Sequence, residues 1–220
     1  MSDRWATFDC YGTLVDWMTG IRSAFARLWP DADPDALLTL YHELEPALQA
    51  GRDIHYRELM AETLARVAEV AGLAVPIGSQ DALGASLPEW PVFADVPASL
   101  TALRGRGWRL AILSNTDADL LDASLRAINV PVELRVVASE VGSYKPGPRH
   151  WESFFAQTGA DRERHVHVAA SLFHDVEPCA RLGLRCVWVN RLAEKSPLPR
   201  SGEISDLTTL PATLDALTPA

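Results

Sequence analysis

An apolar run that ends abruptly in an aspartate and a glycine turn constrains this chain most: Arg4 to Leu14 read RWATFDCYGTL. The run has the character of a buried strand, and Tyr11, Gly12 and Thr13 break it directly after Asp9. Open α/β sheets bind their ligands outside the carboxyl ends of the strands. A carboxylate in that place is a candidate for chemistry, and Asp9 is the candidate nucleophile.

The period then changes. Trp17, Ile21, Phe25, Leu28 and Trp29 recur at three- and four-residue steps, which describes an amphipathic helix stopped by Pro30. Asp33-Pro34 make an N-cap and first-turn pair for a second helix with Leu37, Leu38, Tyr41, Leu44 and Leu48, closed by Gly51. A third helix is expected from about Asp53 to Ala71 and a weaker fourth from Gln80 to Leu87. Beyond Pro91 short apolar runs alternate with helical ones, the pattern of a parallel sheet. Strands are expected at Trp108–Leu113, Leu134–Ala138, His165–Ala170 and Arg185–Val189, with a possible edge strand at Glu203–Leu207. Helices are expected near Pro97–Arg104 and at Leu120–Ile128, Arg149–Thr158, Val176–Leu182 and Leu210–Leu217. The fold class is therefore α/β: a Rossmann-like parallel sheet core from residues 1–15 and 91–220, flanked by helices, with residues 16–90 as an all-helical insertion.

Composition narrows the partners. A chain of 220 residues, 48% hydrophobic, can bury one good core and a smaller second lobe. Its formal charge of -9 argues against nucleic acid and anionic membrane surfaces, which call for a basic patch. A small-molecule substrate is favoured. Cys10, Cys179 and Cys186 are odd in number and lack metal-type spacing, and no signal-peptide apolar region precedes the first strand, so the protein reads as cytoplasmic and reduced. No apolar run approaches the roughly 20 residues of a membrane helix. A homodimer is the commonest symmetric state for such a chain.

Four segments in order resemble the signatures of the haloacid dehalogenase-like (HAD) hydrolases: Asp9 in FDCYGTL, Ser114 in LAILSNTD, Lys145 in GSYKPGP and Asp175 in VAASLFHDVEPCARLGL. The type II 2-haloacid dehalogenase-like branch is the nearest likeness, with VDW after the first motif and SLFHD in the fourth. The resemblance implies a helical cap at residues 16–90 and an aspartate that attacks the substrate to form an ester, later released by water. It implies that Ser114 and Asn115 orient the substrate anion, that Lys145 holds Asp9 ionised, and that Asp175 directs the water. Thr13 supports the nucleophile loop, and Tyr11 and Trp17 are candidates for the substrate-binding wall. His174 is a further candidate to assist the water, with a packing role as the plainer reading.

Two departures from the family's phosphatases choose between chemistries. Those enzymes carry an acid two residues after the nucleophile, where this chain has Tyr11, and another in the fourth motif, where it has Ala170. A tyrosine with an ordinary pKa of about 10 is a poor proton donor at neutral pH, and a departing halide needs none. The expected substrate is a small 2-haloalkanoic acid, an anion, with no cofactor. The alternative is a phosphatase acting on small phosphate monoesters, with Mg²⁺ on Asp9 and Asp175. A third reading is a HAD-fold protein that only binds, against which the retention of all four motif residues argues. The dehalogenases also have a cap arginine for the substrate carboxylate. None lies between Arg27 and Arg52 here, which leaves Arg22, Arg52 and Arg57 as candidates.

Overall fold

The computed structural model describes residues 3–52 and 54–220. Six parallel strands form one sheet: β1 (Arg4–Phe8), β2 (Trp108–Ser114), β3 (Leu134–Val137), β4 (His165–Ala169), β5 (Cys186–Val189) and β6 (Gly202–Ile204). Their order is β3-β2-β1-β4-β5-β6. Ten α-helices accompany them among the described residues. The first four, α1 (Trp17–Leu28), α2 (Pro34–Gln49), α3 (Tyr56–Ala71) and α4 (Ala82–Ser86), lie in sequence between β1 and β2. The others are α5 (Val96–Gly105), α6 (Ala118–Ile128), α7 (Ala138–Val141), α8 (Arg149–Thr158), α9 (Glu177–Leu182) and α10 (Leu210–Leu217).

Both faces of the sheet are covered, so its central strands are buried end to end and read as continuous runs. All five residues of β1 and all five of β4 are buried. Alternate residues serve opposite faces. Ala6, Phe8, Val166 and Val168 join the larger apolar cluster, which also takes in the helices between β1 and β2. Trp5 packs on the other face with Trp151 and Phe154. The strand order reverses between β1 and β4, and the crevice outside their carboxyl ends is the place such sheets reserve for ligands.

The inserted helices are amphipathic and locally well started. Asp16 caps α1 through the Thr19 N–H at 3.1 Å, and Asp33 caps α2 through the Asp35 N–H at 2.9 Å. Helix α1 approaches Trp90 so closely that a Cβ on Gly20 would sit 2.3 Å from the indole, so only glycine fits there. Helix α3 is tied to the sheet by a carboxylate from outside the helix. Asp117, just after β2, accepts the N–H groups of Tyr56 at 3.1 Å and Arg57 at 3.0 Å, using the positive helix end as an anion site.

Three expectations need correction. The third helix begins at Tyr56; Asp53 itself lies outside the described residues. Val176 does not open α9, because a wide π-type turn over Leu172–Val176 comes first, capped by Ser171, whose Oγ accepts the His174 N–H at 3.1 Å. The edge strand ends at Ile204, before Leu207, because Asp206 caps the 3-10 turn Leu207–Thr209.

Candidate active site

Asp9 leaves β1 at its carboxyl end, with its N–H on the Val168 carbonyl of β4 at 3.1 Å. The chain then turns at Gly12, whose φ of +92° strains any residue bearing a Cβ. The turn brings Thr13 back beneath the aspartate. Thr13 Oγ1 donates to Asp9 Oδ2 at 2.8 Å and accepts the Ala170 N–H at 2.9 Å, so one hydroxyl fastens the loop after β1 to the end of β4.

Lys145 occupies the centre of the site. Its Nζ donates to Asp9 Oδ1 at 2.9 Å, Asp175 Oδ1 at 2.7 Å and the Leu113 carbonyl at 2.9 Å, which uses all three ammonium hydrogens. Burial alone would favour the neutral amine, but the two carboxylates outweigh it and raise the group above its ordinary pKa. The same balance acts in reverse on Asp175. Burial pushes its carboxyl up, while Lys145 and His167 reverse that and hold it well below the usual carboxylate range. Asp175 lies in the turn after β4, fully buried, and its Oδ2 has no partner among the described residues.

Ser114, the last residue of β2, is buried with its Oγ likewise unpartnered among the described residues. The side chain of Asn115 is spoken for: Nδ2 donates to the Lys145 carbonyl at 2.9 Å and Oδ1 accepts the Lys145 N–H at 2.6 Å. Its amide therefore fixes the lysine backbone, while Asn115 also lines the cavity described below. His150 donates from Nε2 to the Ser114 carbonyl at 3.1 Å, and burial together with Lys145 lowers its pKa to about 3, so this imidazole is neutral.

A cavity of about 270 Å³ opens on these groups, lined by Asp9, Ser114, Asn115, Lys145 and Asp175 on the sheet side. Tyr11 and Trp17 also face it, as does His174, whose Nδ1 lies 3.1 Å from Ser171 Oγ. The Tyr11 hydroxyl meets Ser124 Oγ at 3.1 Å, its ring stacks with Tyr56, and burial pushes the phenol above its ordinary pKa. Its ring lines the cavity while its hydroxyl faces Ser124. The cysteines are all buried, as small core hydrophobes are.

The far side of the cavity departs from expectation. Among the described residues no arginine lines it: Arg22 pairs with Asp35 at 2.6 Å, Arg52 with Glu62 at 2.5 Å, and Arg57 with Asp81 at 2.7 Å. Helix α2 instead presents His42, Glu45, Pro46 and Gln49. The His42 ring stacks on Trp17 with centroids 4.6 Å apart. These positions fall at helical spacing along the margin of the apolar stripe, a signal present in the sequence but indistinguishable there from a solvated face.

A family profile described as haloacid dehalogenase-like hydrolase matches residues 4–183. The chain is 30% identical to (S)-2-haloacid dehalogenase 1 of Pseudomonas sp. (strain CBS-3), over 98% of either chain. It is also 30% identical to haloacetate dehalogenase H-2 of Moraxella sp. (strain B), over 84% of each. The fold matches that of the L-2-haloacid dehalogenase from Xanthobacter autotrophicus with chloropropionic acid covalently bound, at a TM-score of 0.84 and 18% identity, over 96% of this chain and 97% of that one. With an aspartate at the end of β1 joined through one lysine to a second after β4, and a profile match across most of its length, this chain belongs to the haloacid dehalogenase-like hydrolases.

Proposed function

We propose that this protein hydrolyses the carbon–halogen bond of small 2-haloalkanoic acids, with Asp9 as the nucleophile. The observation that carries this reading is the buried Asp9–Lys145 pair, 2.9 Å apart, beside a Tyr11 whose hydroxyl is turned to Ser124. An alkoxide leaving group needs a proton from that neighbourhood; a halide departs as a stable anion. The relatives that are 30% identical and named as dehalogenases support it.

In the first step the Asp9 carboxylate attacks C2 of the substrate. A carbon–oxygen bond forms as the carbon–halogen bond breaks, and the halide leaves with the bonding electron pair. Lys145 holds one oxygen of Asp9, and Thr13 holds the other. The unpartnered Ser114 Oγ is the side-chain donor nearest in kind to what a substrate carboxylate needs, and Asn115 acts by holding Lys145 in register. In the second step water attacks Cγ of the Asp9 ester and passes a proton to Asp175; the bond from Cγ to the substrate oxygen breaks, and Asp175 returns that proton to the departing alkoxide. The hydroxy acid leaves, and Asp9, left as the acid, releases its proton to restore the carboxylate. The sum is one water consumed, one halide and one proton released. Residues 16–90 serve in this reading as a cap, whose Trp17, His42 and Tyr56 exclude bulk water and strip solvent from the nucleophile.

The donor set suits a resident divalent cation poorly. Lys145 already bridges the two carboxylates, Thr13 takes the other oxygen of Asp9, and Ala170 offers no side-chain oxygen. Halide release from 2-chloro, 2-bromo and 2-fluoro acids is therefore expected to persist in EDTA. Magnesium-dependent phosphate release from a general ester, with no halide, would contradict the reading and favour the phosphatase. The same assay carries a pH signature. Burial raises the Glu45 carboxyl to about 7, so it is neutral at low pH and ionises as pH rises, adding a negative charge to the cavity. Repulsion of an anionic substrate then raises KM across roughly pH 6 to 8; a KM that is flat over that window in the wild type would exclude Glu45 from substrate contact.

A further inference from the structure

Strand β4 carries two histidines, His165 and His167, in the fully buried middle of the sheet, and the reaction above uses neither. Apolar residues would pack there without the cost of about 1–3 kcal/mol that a buried polar atom incurs when it is left unsatisfied. The register of β1 on β4 sets Thr7 opposite His167 and Trp5 opposite His165, so odd-numbered residues of both strands share one face. Thr7 Oγ1 lies 2.8 Å from His165 Nε2 and 2.8 Å from His167 Nδ1. His167 Nε2 lies 2.9 Å from Asp175 Oδ1. All four residues are fully buried.

The direction of these bonds follows from counting hydrogens. Asp175 is an ionised carboxylate on Lys145 and can only accept, so His167 Nε2 bears the proton. A neutral imidazole has one N–H, which makes His167 Nδ1 an acceptor, and Thr7 supplies its hydrogen. Having spent that hydrogen, Thr7 Oγ1 accepts from His165 Nε2–H. His165 Nδ1 is then a bare lone pair, and it is the atom of that ring with no partner among the described residues. A chain running the other way would leave a buried N–H unsatisfied at His165, the costlier arrangement, and would need a second cation beside Lys145. Burial lowers the pKa of His165 to about 3, consistent with a neutral ring.

We propose that His165, Thr7 and His167 form a one-way chain of hydrogen bonds that locks the Asp175 carboxylate through Oδ1 and reserves its Oδ2 for the water that hydrolyses the ester. Oδ1 receives both Lys145 at 2.7 Å and His167 at 2.9 Å, which fixes the rotation of the carboxylate. Oδ2 is buried and unpartnered among the described residues, on a residue that lines the cavity. His167 and Thr7 are positioning residues, and their action on the second step rests on the dehalogenase reading.

The test separates the half-reactions. With His167→Leu and the near-isosteric Thr7→Val, a rapid burst of one halide per enzyme is expected at the wild-type rate. Steady turnover is expected to fall about tenfold to a hundredfold, as the loss of one charge-assisted hydrogen bond implies, and the ester adduct accumulates in the intact mass spectrum. His167→Gln, whose amide nitrogen can still donate to Asp175, is expected to restore most of the second step. Wild-type bursts and steady rates in both Thr7→Val and His167→Leu would overturn the proposal and leave the dehalogenase reading standing. Absence of halide from the wild-type protein would overturn that reading instead. Proton–nitrogen correlation NMR of the imidazoles in the wild-type protein tests the chain without substrate: both rings are expected to carry their hydrogen on Nε2, and an Nδ1–H on either would overturn the proposal.

Discussion

An Asp9→Asn protein is expected to fold as the wild type does and to release no halide, a loss of at least about 10⁴-fold in kcat. The amide is nearly the same shape as the carboxylate and keeps an oxygen for Lys145, which retains Asp175 and the Leu113 carbonyl in any case. The melting temperature should therefore move little. An amide oxygen is a far weaker nucleophile than a carboxylate, here oriented by an ammonium at 2.9 Å, so chemistry is lost while architecture is kept. Halide release near the wild-type rate, in a preparation shown by mass to contain asparagine, would remove Asp9 from the reaction.

Lys145→Met has a second large effect, and this one extends to stability. The lysine is buried, and its removal leaves Asp9 and the fully buried Asp175 without their shared cation. Breaking a buried ion pair from one side costs about 3–5 kcal/mol. The pH dependence should also invert. In the wild type Asp175 titrates below the unfolded carboxylate, so its contribution is present above about pH 4 and is lost only as pH falls through its depressed folded value. Without Lys145 the burial of Asp175 raises its carboxyl above the unfolded value, the folded state binds the extra proton, and stability falls as pH rises. Denaturant unfolding at acidic and neutral pH checks this: the variant is expected to be the more stable at the acidic end, and a parallel downward shift at both would contradict the account. Activity is expected to vanish with the ionised nucleophile.

The sequence was most legible where local stop signals and periodicity coincide. Helices α8 and α10 begin and end where the pattern places them, because Pro148 and Gly159 frame the first and Pro211 sits in the first turn of the second. Asp9, Ser114, Lys145 and Asp175 were legible as residues through their order along the chain, and the structure brings them to one cavity. The resemblance also implied the contact of Lys145 with Asp9; the rest of what joins them was not legible. That Asn115 grips the backbone of Lys145, thirty positions away, depends on where the loop after β2 meets the loop before α8. His167 meets Asp175 only because a π-type turn folds the chain back over the end of β4. The rotation of α2 that turns His42 and Glu45 to the cavity is set by packing against α1 and α3, and nothing in the helix itself separates those positions from solvated ones.

The central claim is that the Asp9 carboxylate itself is the attacking group. A single turnover in isotopically labelled water, with enzyme in excess over a 2-haloacid, tests it most directly. If water attacks Cγ of an Asp9 ester, the heavy oxygen appears in the peptide containing Asp9, and the hydroxyl of the product carries the unlabelled oxygen that Asp9 gave up. Label in the product hydroxyl with none in the Asp9 peptide would mean that water displaced the halide directly, and the account would be wrong.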